Sequence, residues 1–175
     1  MKYLKRFNEG LEGINPDDID DYLIDFLQLG FTSDIKIGSS LILDFSKLKS
    51  EFKSIIDTSF IPSYSVSDYT KGTTSKSLTI ELRTPKGKKL EYDVDDVEEA
   101  YDMLCSFLNK EYGLIPNYII LYYVMLSSAS SLGIPAYFEN FDKIRKLSGL
   151  SDVGGPDWDL GKFKAIDITL GFYQR

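Results

Sequence analysis

The sequence predicts an α+β domain: an antiparallel sheet of four to six strands with helices packed mainly on one face. Three observations carry this. Leu78, Ile80 and Leu82 alternate with polar residues, the period of a half-buried strand. Asp95 to Tyr112 places Val97, Ala100, Tyr101, Leu104 and Leu108 at helical spacing, with Cys105 beside the stripe. Near the C-terminus Ile166, Ile168, Leu170 and Phe172 alternate again, as a strand that would pair with the centre of the sheet. Thr84-Pro85-Lys86-Gly87 reads as a tight turn into a second strand through Leu90, Tyr92 and Val94. Leu78 to Gly113 is then a hairpin followed by a helix, and it is the organising stretch. A ferredoxin-like arrangement is compatible with it.

Taken in order, residues 1–13 form a leader and 14–175 a single domain, a size that buries a core without staples. Asn15 is placed to cap a helix over 16–29, with Pro16 at its first position and Asp17 and Asp18 where the helix dipole favours negative charge. Ile14 and Ile19 stand at staple positions. Ile19, Tyr22, Leu23, Phe26 and Leu27 make the apolar stripe, and Gly30 ends it. Residues 31–45 alternate, with Gly38-Ser39-Ser40 read as a turn. Ser46 opens a short helix carrying Leu48, Phe52, Ile55 and Ile56. Tyr64 and Val66 suggest a strand, and Ser67 to Lys76 an exposed hairpin loop.

In the central helix Asp95 and Glu98 fit a capping box, with Asp93 as the competing cap. Gly113 stops it. Tyr118 to Leu126 suits a buried strand, but Pro116 and Leu132-Gly133-Ile134-Pro135 look like helix ends, and a helix over 116–132 is preferred. A further helix is expected over 137–147, with Phe138, Phe141, Ile144 and Leu147 inward. Residues 149–161 read as a loop.

Composition excludes several chemistries. The chain has no His, which removes the commonest general base and metal ligand near neutral pH. Cys105 is the only Cys, so no intrachain disulfide forms. The net charge of -7 disfavours direct nucleic-acid binding. The apolar run Tyr118–Leu126 is about half the roughly twenty residues a membrane span needs, and the N-terminus lacks the apolar region of an export signal. The expected location is neither secreted nor membrane. No phosphate-binding glycine loop occurs.

Two acidic clusters stand out. Asp17, Asp18, Asp20, Asp21 and Asp25 form one; Glu91, Asp93, Asp95, Asp96, Glu98, Glu99 and Asp102 form the other. Helix N-termini attract carboxylates and solvated faces carry charge, which accounts for most such clusters. The second holds more acids than capping needs, so Asp93, Asp95, Asp96, Glu98, Glu99 and Asp102 are the candidate partner-binding residues. Trp158, in a Gly-rich loop, is a candidate contact anchor. Asp157 and Asp159 flank it and are the candidate ligands for a hard cation, set against an ordinary turn. Asp68, Glu81 and Arg83 faintly resemble the acidic core of restriction-type nucleases, but Arg83 stands where that pattern has Lys, and Arg does not deprotonate. Lys86, Lys88 and Lys89 make a small basic turn that serves solubility.

In the leader, Leu4, Phe7 and Leu11 fall at helical spacing and Lys2, Lys5 and Arg6 make it basic. Met1-Lys2, then Phe7, Glu9 and Gly10, resembles the leaders of capsid-targeted internal proteins of T-even-like tailed phages. The resemblance covers these ten residues. It implies removal by a prohead protease between Glu9 and Gly10, and a location in the host cytoplasm or the virion. The function expected from these readings is a non-enzymatic protein-interaction module, a phage accessory or virion-associated protein acting through an acidic and aromatic surface. It needs a protein partner and no cofactor, and homo-oligomers are compatible with it. The alternatives are a Mg²⁺-dependent carboxylate hydrolase or nuclease, and a DNA mimic that inhibits a DNA-handling protein.

Overall fold

Each helix begins where a side chain satisfies its first free N–H groups. In the computed structural model, which describes residues 13–48, 61–86, 91–123, 134–148, 162–164 and 167–174, Asn15 accepts from the Asp17 N–H and starts helix α1, Pro16–Gln28. Asp93, rather than Asp95, caps the second helix, α2, Val94–Tyr112, by accepting from the Asp95 N–H at 3.0 Å. Gly113 closes α2 in the left-handed region at φ 65°, where an L side chain is strained. The third helix, α3, is Phe141–Ser148.

The strands are β1 Thr32–Leu43, β2 Ile61–Pro62, β3 Thr70–Arg83, β4 Glu91–Asp93, β5 Leu114–Tyr123, β6 Ile134–Phe138, β7 Lys162–Lys164 and β8 Asp167–Gln174. Six of them form one sheet in the order β1-β3-β8-β5-β6-β2, and β4 pairs with β7 in a second, two-stranded sheet. The fold is α+β. Every neighbouring pair in the large sheet is antiparallel, so the parallel pairing of a ferredoxin-like βαβ unit is absent among the described residues.

The helices cover one face. Ile19, Leu23 and Phe26 of α1 and Val97, Ala100, Tyr101, Leu104 and Leu108 of α2 are buried against Leu78, Ile80 and Leu82 of β3, Ile168, Leu170 and Phe172 of β8, and Ile119 and Leu121 of β5. Register aligns these residues in rows: Leu78 opposes Phe172, Ile80 opposes Leu170, and Leu170 in turn opposes Ile119. Alternation is what lets one face of each strand join a single core.

The other face carries Asp34, Glu81, Thr169, Ile120, Tyr137 and Ile61 in one row across the whole sheet. Ile61 and Ile120 are buried there, outside the helix-side cluster. On the same face the Tyr118 ring lies directly on Gly171, in space that a Cβ at 171 would need. Tyr137 meets Tyr118 edge-on, with ring centroids 5.4 Å apart.

Asn117 joins distant parts of the sheet. From β5 its Oδ1 accepts the Leu43 N–H and its Nδ2 donates to the Leu41 carbonyl, each at 3.0 Å. Sheet order separates β1 from β5 by two strands, so the sheet curls until the end of β1 meets β5. One buried amide there does the work of a neighbouring strand.

Several expectations are corrected. Residues 114–123 are a strand, not the start of a helix over 116–132; the remainder of that range lies outside the described residues. A β-branched and aromatic run is suited to a strand with neighbours on both sides, and β5 has β8 and β6. Pro116, which has no N–H to give, sits at a register irregularity between Pro116 and Tyr118. The hairpin from β3 into 90–94 does not form, because both edges of β3 are taken by β1 and β8 and Glu91–Asp93 pairs with β7 instead. Gly38-Ser39-Ser40 is no turn: β1 runs through it. The polar stretch read as a loop from Ser67 belongs to β3 from Thr70 onward, paired with β1. Exposed strand arms need no apolar alternation, so their sequence looked like loop. Ser63–Tyr69 is a 3-10 segment instead of a strand at Tyr64 and Val66. Phe45–Lys47 is a single 3-10 turn, and Phe52, Ile55 and Ile56 lie outside the described residues. The helix expected over 137–147 is shorter at its start, since 134–138 is β6.

Candidate functional site

α1 and α2 run antiparallel. The Tyr112 hydroxyl near the end of α2 donates to Asp18 Oδ2 near the start of α1, at 3.1 Å. Midway, the Tyr22 and Phe107 rings stack with centroids 3.8 Å apart and planes 14° from parallel. Tyr112 meets Phe107 edge-on at 5.7 Å. This aromatic string ties the outer sides of the two helices together.

Along it lies a groove of about 670 Å³, lined by Tyr22, Met103 and Phe107 and rimmed by Asp95, Glu98, Glu99 and Asp102. A second hollow of about 560 Å³ shares Glu99 and Met103 and adds Asp25, Leu29 and Asp96. Lys110, at the far end of the first groove, pairs with Glu111 at 3.8 Å. Of the six acids singled out from sequence, α2 gathers Asp95, Asp96, Glu98, Glu99 and Asp102 around these hollows, and Asp93 is spent on capping. Trp158, Asp157, Asp159, Glu9 and Gly10 lie outside the described residues.

The apolar floor was not read from sequence. Tyr22 and Leu27 were assigned to the buried stripe of α1, yet they are 39% and 44% exposed, and Met103 is 46% exposed. The one partial signal is Met103 with Phe107, a pair at i, i+4 beside the buried stripe of α2; Met103 is exposed there, whereas Phe107 is half-buried against the core. Cys105 is a packing residue: burial pushes its thiol up to about 12, so it stays protonated at neutral pH.

A scan against protein-family models finds no match, and no curated protein and no solved structure matches the chain either.

A second charged group lies on the sheet face away from the helices. Glu81 on β3 binds both Lys36 of β1 and Arg83, and Asp34 lies 3.6 Å from Lys36 and 3.9 Å from Arg83. Glu81 thus has two cationic partners, an arrangement that holds β1 to β3. Asp68 sits in the 3-10 segment before β3, at the opposite end of that strand from Glu81. At about 3.3 Å per residue the two are tens of ångströms apart, so the nuclease-like trio does not assemble. Among the described residues no group of three or more His, Cys, Asp or Glu is placed to hold a metal ion. No helix there is long and apolar enough to cross a membrane.

The Lys36 ammonium and then the Arg83 guanidinium hold the Glu81 carboxyl below its ordinary value of 4.5. A depressed carboxyl contributes stability that is complete above the unfolded pKa and lost as pH falls through the folded one. Glu81→Gln is therefore expected to cost about 1 kcal/mol at neutral pH and progressively less below pH 4.5. Urea unfolding midpoints of both proteins, measured from pH 7 down to the acid limb, check this. A difference that grows on acidification has the wrong sign.

Proposed function

We infer that this chain is a non-enzymatic protein-interaction module, whose α1–α2 groove takes a basic amphipathic segment of a protein partner. The observation that carries the reading is the groove's composition: exposed Tyr22 and Met103 and half-buried Phe107 form an apolar floor within a rim of carboxylates. An amphipathic helix laid there would bury its apolar stripe on the floor and set Lys or Arg against the rim. Either feature alone is commonplace; the combination defines the chemistry of the occupant. The leader's resemblance supports a phage accessory or virion-associated setting for that partnership.

The test uses a fluorescent synthetic helix of Leu and Lys in amphipathic order, with the same peptide carrying Glu for Lys as control. The Lys peptide is expected to bind saturably and to weaken as salt rises, because exposed charges are screened. Neutralising Asp95, Glu98, Glu99 and Asp102 together should weaken it about tenfold, from four rim charges worth a few tenths of a kcal/mol each. Equal binding of the Glu peptide, or no loss on neutralisation, refutes the groove as the docking site.

A further inference from the structure

We propose that a second copy of this chain pairs with the outer edge of β1, antiparallel and centred on Ile37, to form a continuous sheet across a two-fold axis. This surface lies away from the α1–α2 groove and its test is independent of that reading.

β1 ends the sheet, so among the described residues it has one neighbouring strand, β3. Its register with β3 is regular from Thr32 to Leu41. A regular edge of that length is a ready template for another strand unless it is protected. Two large apolar residues stand exposed along it, Ile37 at 47% and Leu41 at 43%.

The main-chain bonds at the end of β1 show which residues face outward. The Asp44 N–H donates to the Tyr69 carbonyl, on the β3 side, whereas the Leu43 N–H and the Leu41 carbonyl go to Asn117. Strand residues alternate in the edge they address. Ser33, Ile35, Ile37 and Ser39 therefore direct their N–H and C=O groups to the open edge. Asn117 covers that edge at 41–43, and among the described residues no strand pairs with the stretch before it.

Symmetry and side chains narrow the register. A two-fold axis perpendicular to the sheet keeps the helix-bearing faces of both copies on one side, which requires like-facing residues to oppose each other. Centring on Lys36 would set two ammonium groups directly opposite, an unfavourable pair. Centring on Ile35 gains less, because Ile35 already packs against the core. Centring on Ile37 sets Ile37 against Ile37 of the second copy, Ile35 against its Ser39, and Lys36 against its Gly38, which leaves the Lys room. Every outward main-chain group from Ile35 to Ser39 then has a partner.

Sedimentation velocity of the full chain across the micromolar range is expected to show a concentration-dependent dimer. Ile37→Lys should raise its dissociation constant about a hundredfold or more while leaving the circular dichroism spectrum unchanged. Ile37→Cys should form a disulfide-linked dimer on mild oxidation, since directly opposed residues of a hydrogen-bonded pair lie within disulfide reach, and Glu111→Cys, on the exposed end of α2, should not. A monomer at every concentration overturns the proposal, as does a dimer that Ile37→Lys leaves intact.

Discussion

Phe172→Ala is expected to destabilise the fold by about 3–5 kcal/mol, the cost of a large buried aromatic lost without repacking. Phe172 is fully buried on β8, opposes Leu78 of β3 and Pro116 of β5, and has Tyr101 of α2 over it with ring centroids 6.2 Å apart. It is the point where the sheet and the helix layer share one side chain. Tyr101 in turn meets Phe141 of α3 edge-on at 5.3 Å, so the cavity would open beneath two helices. Against a typical total of about 5–15 kcal/mol, the loss removes a large part of the stability. A melting temperature lowered by about 10 °C or more is the expected reading by thermal scan. A shift of a degree or two would mean that Tyr101 collapses into the space.

The second large effect is expected at Asn117. Asn117→Ala removes both bonds to β1 and leaves the Leu41 carbonyl and the Leu43 N–H without the partner that replaces a strand. Two net bonds and the desolvation left behind come to about 2–4 kcal/mol. The loss has a local signature: amide exchange should accelerate at Leu43 more than at Ile80, which lies in the middle of the sheet. Uniform acceleration at both would show that Asn117 acts only through global stability. Asn117→Asp offers a sharper comparison, since a carboxylate can accept from Leu43 but cannot donate to Leu41.

The helices were legible because their signals are local. Asn15, Pro16 and Gly30 bracket α1 within one stretch of chain, and Gly113 ends α2 where its φ demands a glycine. Spacing places Ile19, Leu23 and Phe26 on one buried stripe and Leu104 and Leu108 on the other, but it also assigns Tyr22 and Leu27 to the first, and both are exposed. The second half of β3 and most of β8 were legible for the same reason, since strict alternation over Leu78–Leu82 and Ile168–Phe172 marks a core face. The acids of α2 could be named from sequence as a surplus. Their neighbours Tyr22 and Met103 could not, because whether an apolar residue beside a stripe is covered depends on where the next helix lies.

Strand identity failed where the deciding contact is remote. β5 reads as helix between two prolines until β8 and β6 supply its hydrogen bonds. Gly38-Ser39-Ser40 reads as a turn until β3 extends alongside it, and Tyr92 reads as the partner of β3 until β1 and β8 occupy both of its edges. By itself the sequence determined the α+β class, the bounds of α1 and α2, the central core residues of α1, α2, β3 and β8, and the acidic character of α2. Only the tertiary structure decided the strand order, the curl closed by Asn117, the groove floor and the open edge of β1. Helix signals lie within one or two turns of chain, whereas each ladder is completed by residues from elsewhere in the sequence, and no local pattern says which segment will arrive.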